Sequence, residues 1–93
     1  MSNGHLPLRL VIIGAGGHAK VVLEAVRAAG LGEVAGLVDP SPAALTVLGA
    51  PVLGGDEVLH GLLAGGISAA VVALGGDALR ERVGDRLRAI GFL

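Results

Sequence analysis

Short apolar runs alternate with longer amphipathic stretches along this chain of 93 residues. Apolar, β-branched runs bounded by turn residues are typical of buried parallel strands, whereas an apolar stripe recurring every three to four residues indicates a helix. The pattern predicts strands over residues 9–13, 34–38, 51–53 and 68–74, and helices over residues 18–29, 57–64 and 78–90. Residues 51–53 are expected at a sheet edge because Pro51 has no amide hydrogen to give to a ladder. Residues 41–49 are expected to form a loop or a single helical turn.

This alternation predicts an α/β fold. Parallel strands joined by helical crossovers place helices on both faces of the sheet, so we expect a Rossmann-like three-layer domain with about four parallel strands. Residues 1–93 suffice for one such domain. Asp56 and Asp77 are predicted to cap the second and third helices, and Gly30 is predicted to end the first. A strand should follow the last helix in this architecture, so the chain is expected to be a fragment.

Composition narrows the possible functions. Seven basic and eight acidic residues give a net charge of −1, and Phe occurs once while Tyr and Trp are absent, so nucleic-acid binding is not expected. The lack of cysteine excludes disulfides and thiolate chemistry, and fits a cytoplasmic protein. Residues 1–7 do not resemble a signal peptide. Residues 58–76 carry no formal charge, but two Gly-Gly pairs interrupt them, so no membrane span is expected. His5 and His60 have no ligand-spaced partner, and no metal site or catalytic residue is predicted.

The strongest indication of a binding site is a glycine-rich segment. Residues 14–19, Gly-Ala-Gly-Gly-His-Ala, fit the pattern G-x-G-x-x-G/A between the first strand and the first helix. Gly14 would permit the tight turn, Gly16 and Gly17 would let the backbone approach a phosphate, and the helix start would attract the anion. The alternative is a plain strand-to-helix turn. Because the surrounding strand and helix supply the required context, the pattern favours a phosphate-binding loop.

Five further residues are candidates for the same site. Asp39 ends the second strand, where an acid accepts hydrogen bonds from ribose hydroxyls in dinucleotide folds; the alternative is an Asp-Pro turn. His18 could donate to a phosphate or sugar oxygen, or could merely lie beside the loop. Gly75 and Gly76 follow the fourth strand at the carboxyl edge of the sheet, where their backbone could line a pocket. Arg80 is either a phosphate partner or a solvated helix residue.

The sequence also resembles a known family. Residues 14–22, GAGGHAKVV, together with weaker stretches at 36–39, 51–55, 71–75 and 80–82, are similar to the N-terminal domain of hexapeptide-repeat sugar O- and N-acetyltransferases. These include sialic-acid O-acetyltransferase-like proteins and the enzymes that acetylate UDP-4-amino-sugars. The resemblance covers nearly the whole chain. It implies a domain that holds the nucleotide part of a nucleotide-sugar, with a UDP-sugar as the expected ligand.

The resemblance also defines what these residues lack. In the family, acetyl-CoA binding and the catalytic His belong to a left-handed β-helix that follows this domain and assembles a homotrimer. No hexapeptide repeats occur here, so this chain is expected to bind a nucleotide-sugar without acetylating it, and acetyl-CoA is the cofactor of the parent enzyme. Two positions depart from the family. Pro40 replaces a second acid after Asp39, and Gly76 replaces an Asn.

Two other functions remain open at this point. The glycine spacing and Asp39 also suit an NAD-binding domain of an oxidoreductase, although no hydride-transfer residue is present. A domain that binds no ligand and covers a partner surface with its apolar residues is the third possibility.

Overall fold

The computed structural model describes residues 8–93, so His5 and the predicted absence of a signal peptide lie outside the described residues. The strands are β1 (Arg9–Ile13), β2 (Glu33–Val38), β3 (Thr46–Val47), β4 (Ala50–Gly54) and β5 (Ala69–Val72). The helices are α1 (Gly17–Ala29), α2 (Leu59–Ala64), which follows a 3-10 turn at Asp56–Val58, and α3 (Asp77–Ile90). None of the helices in this part of the chain combines the length and the apolar character that crossing a bilayer requires.

The strands form one five-stranded sheet in the order β3-β4-β2-β1-β5. β4, β2, β1 and β5 pair in parallel, and β3 pairs antiparallel with β4. The chain runs outward from β1 to β2 and β4, and then returns to the other side of β1 to form β5. The strand order therefore reverses between β1 and β5, which is where open α/β sheets bind their ligands. The predicted α/β, Rossmann-like fold is confirmed.

The central strand β1 is buried on both faces. Leu10 and Ile12 point into one apolar cluster, where Leu23 of α1 packs against them. Val11 and Ile13 point into a second cluster on the opposite face, which contains residues of α2 and α3. This alternation explains why the run has no polar position after Arg9, since a central parallel strand is covered by helices on both sides. Helices lie on both faces, as the sequence predicts.

The β3–β4 hairpin differs from the prediction. Residues 41–49 were expected to contain no strand, but Thr46–Val47 pairs with Ala50–Pro51. β4 therefore lies between β2 and β3 and is not an edge strand. Pro51 is tolerated because the ladder uses its neighbour, Val52, whose amide donates to the Leu45 carbonyl at 2.9 Å. A two-residue strand carries too little periodicity to be recognised from the sequence.

The predicted helix caps are wrong by one residue. Gly55 and Gly76 occupy the N-cap positions, and neither Asp56 nor Asp77 makes a side-chain cap. At the first of these sites the Glu57 carboxylate instead accepts a hydrogen bond from the Gly55 amide at 2.8 Å. Asp56 is thereby left with its carboxylate available for another partner. The predicted end of α1 at Gly30 is confirmed.

The hairpin turn holds Leu48 in a strained conformation. Leu48 and Gly49, between β3 and β4, have φ values of 47° and 84°. A two-residue turn with both φ values positive favours Asn-Gly, and leucine in this region costs roughly 1–2 kcal/mol. Because Leu48 is 46% exposed, Leu48→Asn should lose little packing and should raise the free energy of unfolding by about 1 kcal/mol. Thermal melts followed by circular dichroism would measure the gain. Leu45→Asn, at a more exposed position with negative φ, is the control; equal melting temperatures for the two variants would contradict the prediction.

Candidate functional site

The loop after β1 is bonded to both neighbouring strands at the carboxyl edge of the sheet. The Gly14 amide donates to the Val38 carbonyl at 2.8 Å, and the Ile13 carbonyl accepts from the Ala73 amide at 2.8 Å. The strands on both sides of β1 therefore hold the beginning of the loop in place.

The Asp39 carboxylate joins the end of β2 to the glycine loop. Its Oδ2 accepts a hydrogen bond from the Ala15 amide at 3.0 Å, and its Oδ1 accepts one from the Ser41 amide at 2.8 Å. A carboxylate has about four lone-pair positions, so both oxygens can still accept from a ligand. Asp39 thus orients the loop and remains open to hydroxyl donors. The bond to Ser41 is that of the Asp-Pro turn expected as the alternative from the sequence, whereas the bond to Ala15 was not predicted.

Gly14 is required by the protein itself. It is buried, its φ is +107°, and a Cβ there would lie 2.9 Å from both the Ala73 carbonyl oxygen and Leu74 Cδ2. A side chain at this position would be strained in its backbone and would collide with the end of β5. The predicted tight turn at Gly14 is confirmed.

The next two glycines lie in open space. Gly16 and Gly17 are exposed, and a Cβ on either would meet no protein atom within 4 Å. They begin α1, where the Ala19 amide donates to the Gly16 carbonyl at 3.0 Å and no side chain caps the first turn. Nothing in the described part of the protein prevents a side chain here, so the open surface is free for close approach by another molecule. His18, in the first turn of α1, is exposed beside them.

A cavity of about 310 Å³ opens beside this loop, between the sheet and helices α2 and α3. This volume is at the lower end of the range for small-molecule sites. It is lined by Ile13, Gly14, Val38, Asp39, Pro40, Asp56, Leu59, Leu74, Val83, Arg86 and Leu87. Aliphatic side chains form most of the wall, and three charged side chains interrupt it. A mostly apolar group with a few polar atoms at its edge suits such a surface.

The structure separates the predicted site residues into two groups. Gly14 and Asp39 line the cavity. Gly16, Gly17 and His18 lie on the exposed loop and helix start, outside the cavity lining. The remaining predicted residues, Gly75, Gly76 and Arg80, are exposed at the end of β5 and the first turn of α3 and do not line the cavity either. Arg80 forms an ion pair with Asp77 of its own helix.

Two charged residues of the cavity were not among the sequence-predicted candidates. Arg86 Nη1 of α3 lies 2.6 Å from Asp56 Oδ2, at the start of the 3-10 turn. The position of Arg86 on its helix is a weak signal, because residues three and four apart share a helix face and Arg86 therefore lies beside Val83, which also lines the cavity. Asp56 follows β4 at the carboxyl edge. The two residues are 30 positions apart in the chain, so no local pattern joins them.

No set of three metal-ligating side chains comes together within residues 8–93. His60 is exposed on α2.

A family model matches residues 9–87, and that family is described as the PglD N-terminal domain. The match spans both halves of the sheet and all of the cavity. This chain belongs to the PglD N-terminal domain family. The resemblance noted in the sequence is therefore confirmed. No curated protein gives a match to the chain.

Solved structures support the same assignment. Perosamine N-acetyltransferase from Caulobacter crescentus, in complex with CoA and GDP-perosamine, is 48% identical, with a TM-score of 0.78 over 89% of this chain. The acetyltransferase domain of PglB from Neisseria gonorrhoeae, in complex with acetyl coenzyme A, is 33% identical, with a TM-score of 0.76 over 94% of this chain. The matches cover 39% and 42% of those two chains, so this PglD N-terminal domain spans about two fifths of their length.

Proposed function

We propose that this chain binds the nucleotide part of a nucleotide-sugar at the carboxyl edge of its sheet, as the N-terminal domain of a sugar acetyltransferase. The observation that carries the proposal is the hydrogen bond from the Ala15 amide to Asp39, which brings the glycine loop and the acid together beside the cavity. In this arrangement the phosphates face the amides at the start of α1, and the ribose hydroxyls face Asp39.

The relatives support a nucleotide-sugar over NAD. The structure that is 48% identical to this chain was solved with GDP-perosamine, which makes a GDP-sugar a stronger candidate than the UDP-sugar expected from the sequence. Acetyl-CoA, the catalytic His and a trimer would belong to the remainder of the parent enzyme, since the relatives extend well beyond the matched region. We therefore expect this chain, acting in the cytoplasm, to supply binding and not acetyl transfer.

Calorimetric titration with GDP, UDP, their sugar derivatives, CMP-sialic acid and NAD tests the proposal. A nucleotide-sugar should bind, and Gly17→Ala should weaken that binding about tenfold, because the added methyl occupies the surface that the phosphates approach. The same substitution should not lower stability, since alanine is better than glycine in a helix by about 1 kcal/mol. Gly84→Ala, in α3 but outside the cavity lining, is the glycine control.

The alternatives give different results in the same experiment. Tighter binding of NAD than of every nucleotide-sugar would indicate a dinucleotide-binding domain. No binding of any nucleotide would favour a domain that only covers a partner surface. Either result would overturn the proposal, as would equal affinity of the native chain and Gly17→Ala for the nucleotide-sugar.

A further inference from the structure

The wall of the cavity carries a carboxylate and a guanidinium side by side. Arg86 and Asp56 approach to 2.6 Å, and their side chains are 61% and 51% exposed. The ion pair uses one carboxylate oxygen and one guanidinium nitrogen, so Asp56 Oδ1 and most of the N–H groups of Arg86 remain open. Both residues line the cavity, and the aliphatic Leu59 and Val83 lie next to them in its wall. The result is a charged edge on a mostly apolar cavity.

A mostly apolar cavity of this size can hold a nucleobase, and the charged edge discriminates among bases. Guanine presents two neighbouring donors, N1–H and the N2 amino group, followed by the acceptor O6. One carboxylate can accept from both donors, while a guanidinium beside it donates to O6. Uracil has a single donor flanked by two carbonyl oxygens, and adenine and cytosine place a ring-nitrogen lone pair next to their amino group. A carboxylate facing those edges meets at least one acceptor, which it repels.

We propose that Asp56 and Arg86 read the base of the bound nucleotide and select guanine. Asp56 accepts hydrogen bonds from N1–H and N2–H, and Arg86 donates to O6. The ring lies against the aliphatic wall between α2 and α3, and the ribose extends toward Asp39. This inference rests on the proposed nucleotide site and adds the residues that determine base specificity there.

Replacing either residue of the Asp56–Arg86 ion pair should leave the stability of the fold nearly unchanged. Exposed ion pairs contribute little to stability, so Asp56→Asn and Arg86→Met should fold as the native chain does. Binding changes in these variants can then be assigned to recognition. The ion pair between Asp85 and Arg88 lies on the same helix but outside the cavity lining, which makes Asp85→Asn and Arg88→Met matched controls.

Titration of GDP, inosine diphosphate, xanthosine diphosphate, UDP, CDP and ADP by calorimetry tests the inference. The native chain should bind GDP about tenfold to a hundredfold more tightly than xanthosine diphosphate, UDP, CDP and ADP, in line with a good bidentate contact. Inosine diphosphate, which lacks the N2 amino group, should be intermediate. Asp56→Asn should lose the preference for GDP and gain affinity for xanthosine diphosphate, because an amide nitrogen can donate to the carbonyl oxygen that replaces N2. Arg86→Met should weaken the binding of GDP about tenfold.

Each other result contradicts a specific statement. If the native chain binds diphosphates without preferring GDP, or if Asp56→Asn keeps the native order of affinities, the base-reading assignment is wrong while the nucleotide site stands. If the two control variants change the preference as much as the cavity variants do, the effect is one of general charge and the assignment fails. If no diphosphate binds, the proposed function fails, and this inference fails with it.

Discussion

A Gly14→Ala variant is expected to lose about 2–5 kcal/mol of its free energy of unfolding. Roughly 1–2 kcal/mol comes from a positive φ at a residue with a Cβ, and overpacking against the end of β5 adds about 1–3 kcal/mol. The added Cβ would approach the Ala73 carbonyl oxygen, which is backbone and cannot move without displacing β5. Small domains have only about 5–15 kcal/mol in total, so the variant should lose a large fraction of its stability and unfold at a clearly lower urea concentration.

Urea denaturation followed by far-ultraviolet circular dichroism measures this loss, since the chain has no Trp or Tyr for fluorescence. Gly17→Ala is the control in the same loop, because a Cβ there meets nothing within 4 Å. A Gly14→Ala midpoint equal to that of Gly17→Ala would show that the loop can relax, and would refute the tight approach of β1 to β5.

Asp39→Ala is expected to lower both stability and nucleotide affinity. The substitution removes a charged acceptor from the Ala15 and Ser41 amides, and hydrogen bonds to charged groups contribute roughly 1.5–3 kcal/mol each. Because the bond to Ser41 is exposed, we expect a total loss of about 2 kcal/mol. The glycine loop would lose its attachment to β2, and the ribose would lose its acceptor, so the affinity for a nucleotide-sugar should fall tenfold or more.

The same denaturation and calorimetry quantify the two effects. Asp39→Asn keeps one side-chain acceptor and should fall between the native chain and Asp39→Ala. Asp77→Ala removes an exposed acid from the same edge of the sheet and should cost less than about 1 kcal/mol with unchanged affinity. A native melting midpoint for Asp39→Ala would mean that the loop does not depend on this carboxylate.

Most of the fold could be predicted from the sequence because its signals are local. The apolar run of β1 and the stripe of α1 each span several residues, and the glycine between them marks the turn. β3 was missed because it has two residues and depends on a tertiary partner. The caps were misplaced because glycines occupy both N-cap positions, Gly55 in an extended conformation and Gly76 with a φ of 85°, while an acid one residue later looks like the usual cap.

Only part of the candidate site could be predicted from the sequence. Gly14 and Asp39 were found because strand ends mark the carboxyl edge. Asp56 and Arg86 were missed because their proximity arises from the packing of α3 against the turn after β4. Arg80 was a candidate on grounds of position in the helix, yet the first turn of α3 carries it away from the cavity lining and into a pair with Asp77.

Because the loop glycines have different surroundings, we expect evolution to preserve them for different reasons. Gly14 is held by contacts within the domain, whereas Gly16 and Gly17 are surrounded by open space. In a lineage that abandoned its ligand but kept the fold, Gly14 would persist while Gly16 and Gly17 drifted to other residues. We therefore expect descendants that keep the proposed nucleotide site to retain all three glycines, and descendants that only fold to retain Gly14 alone.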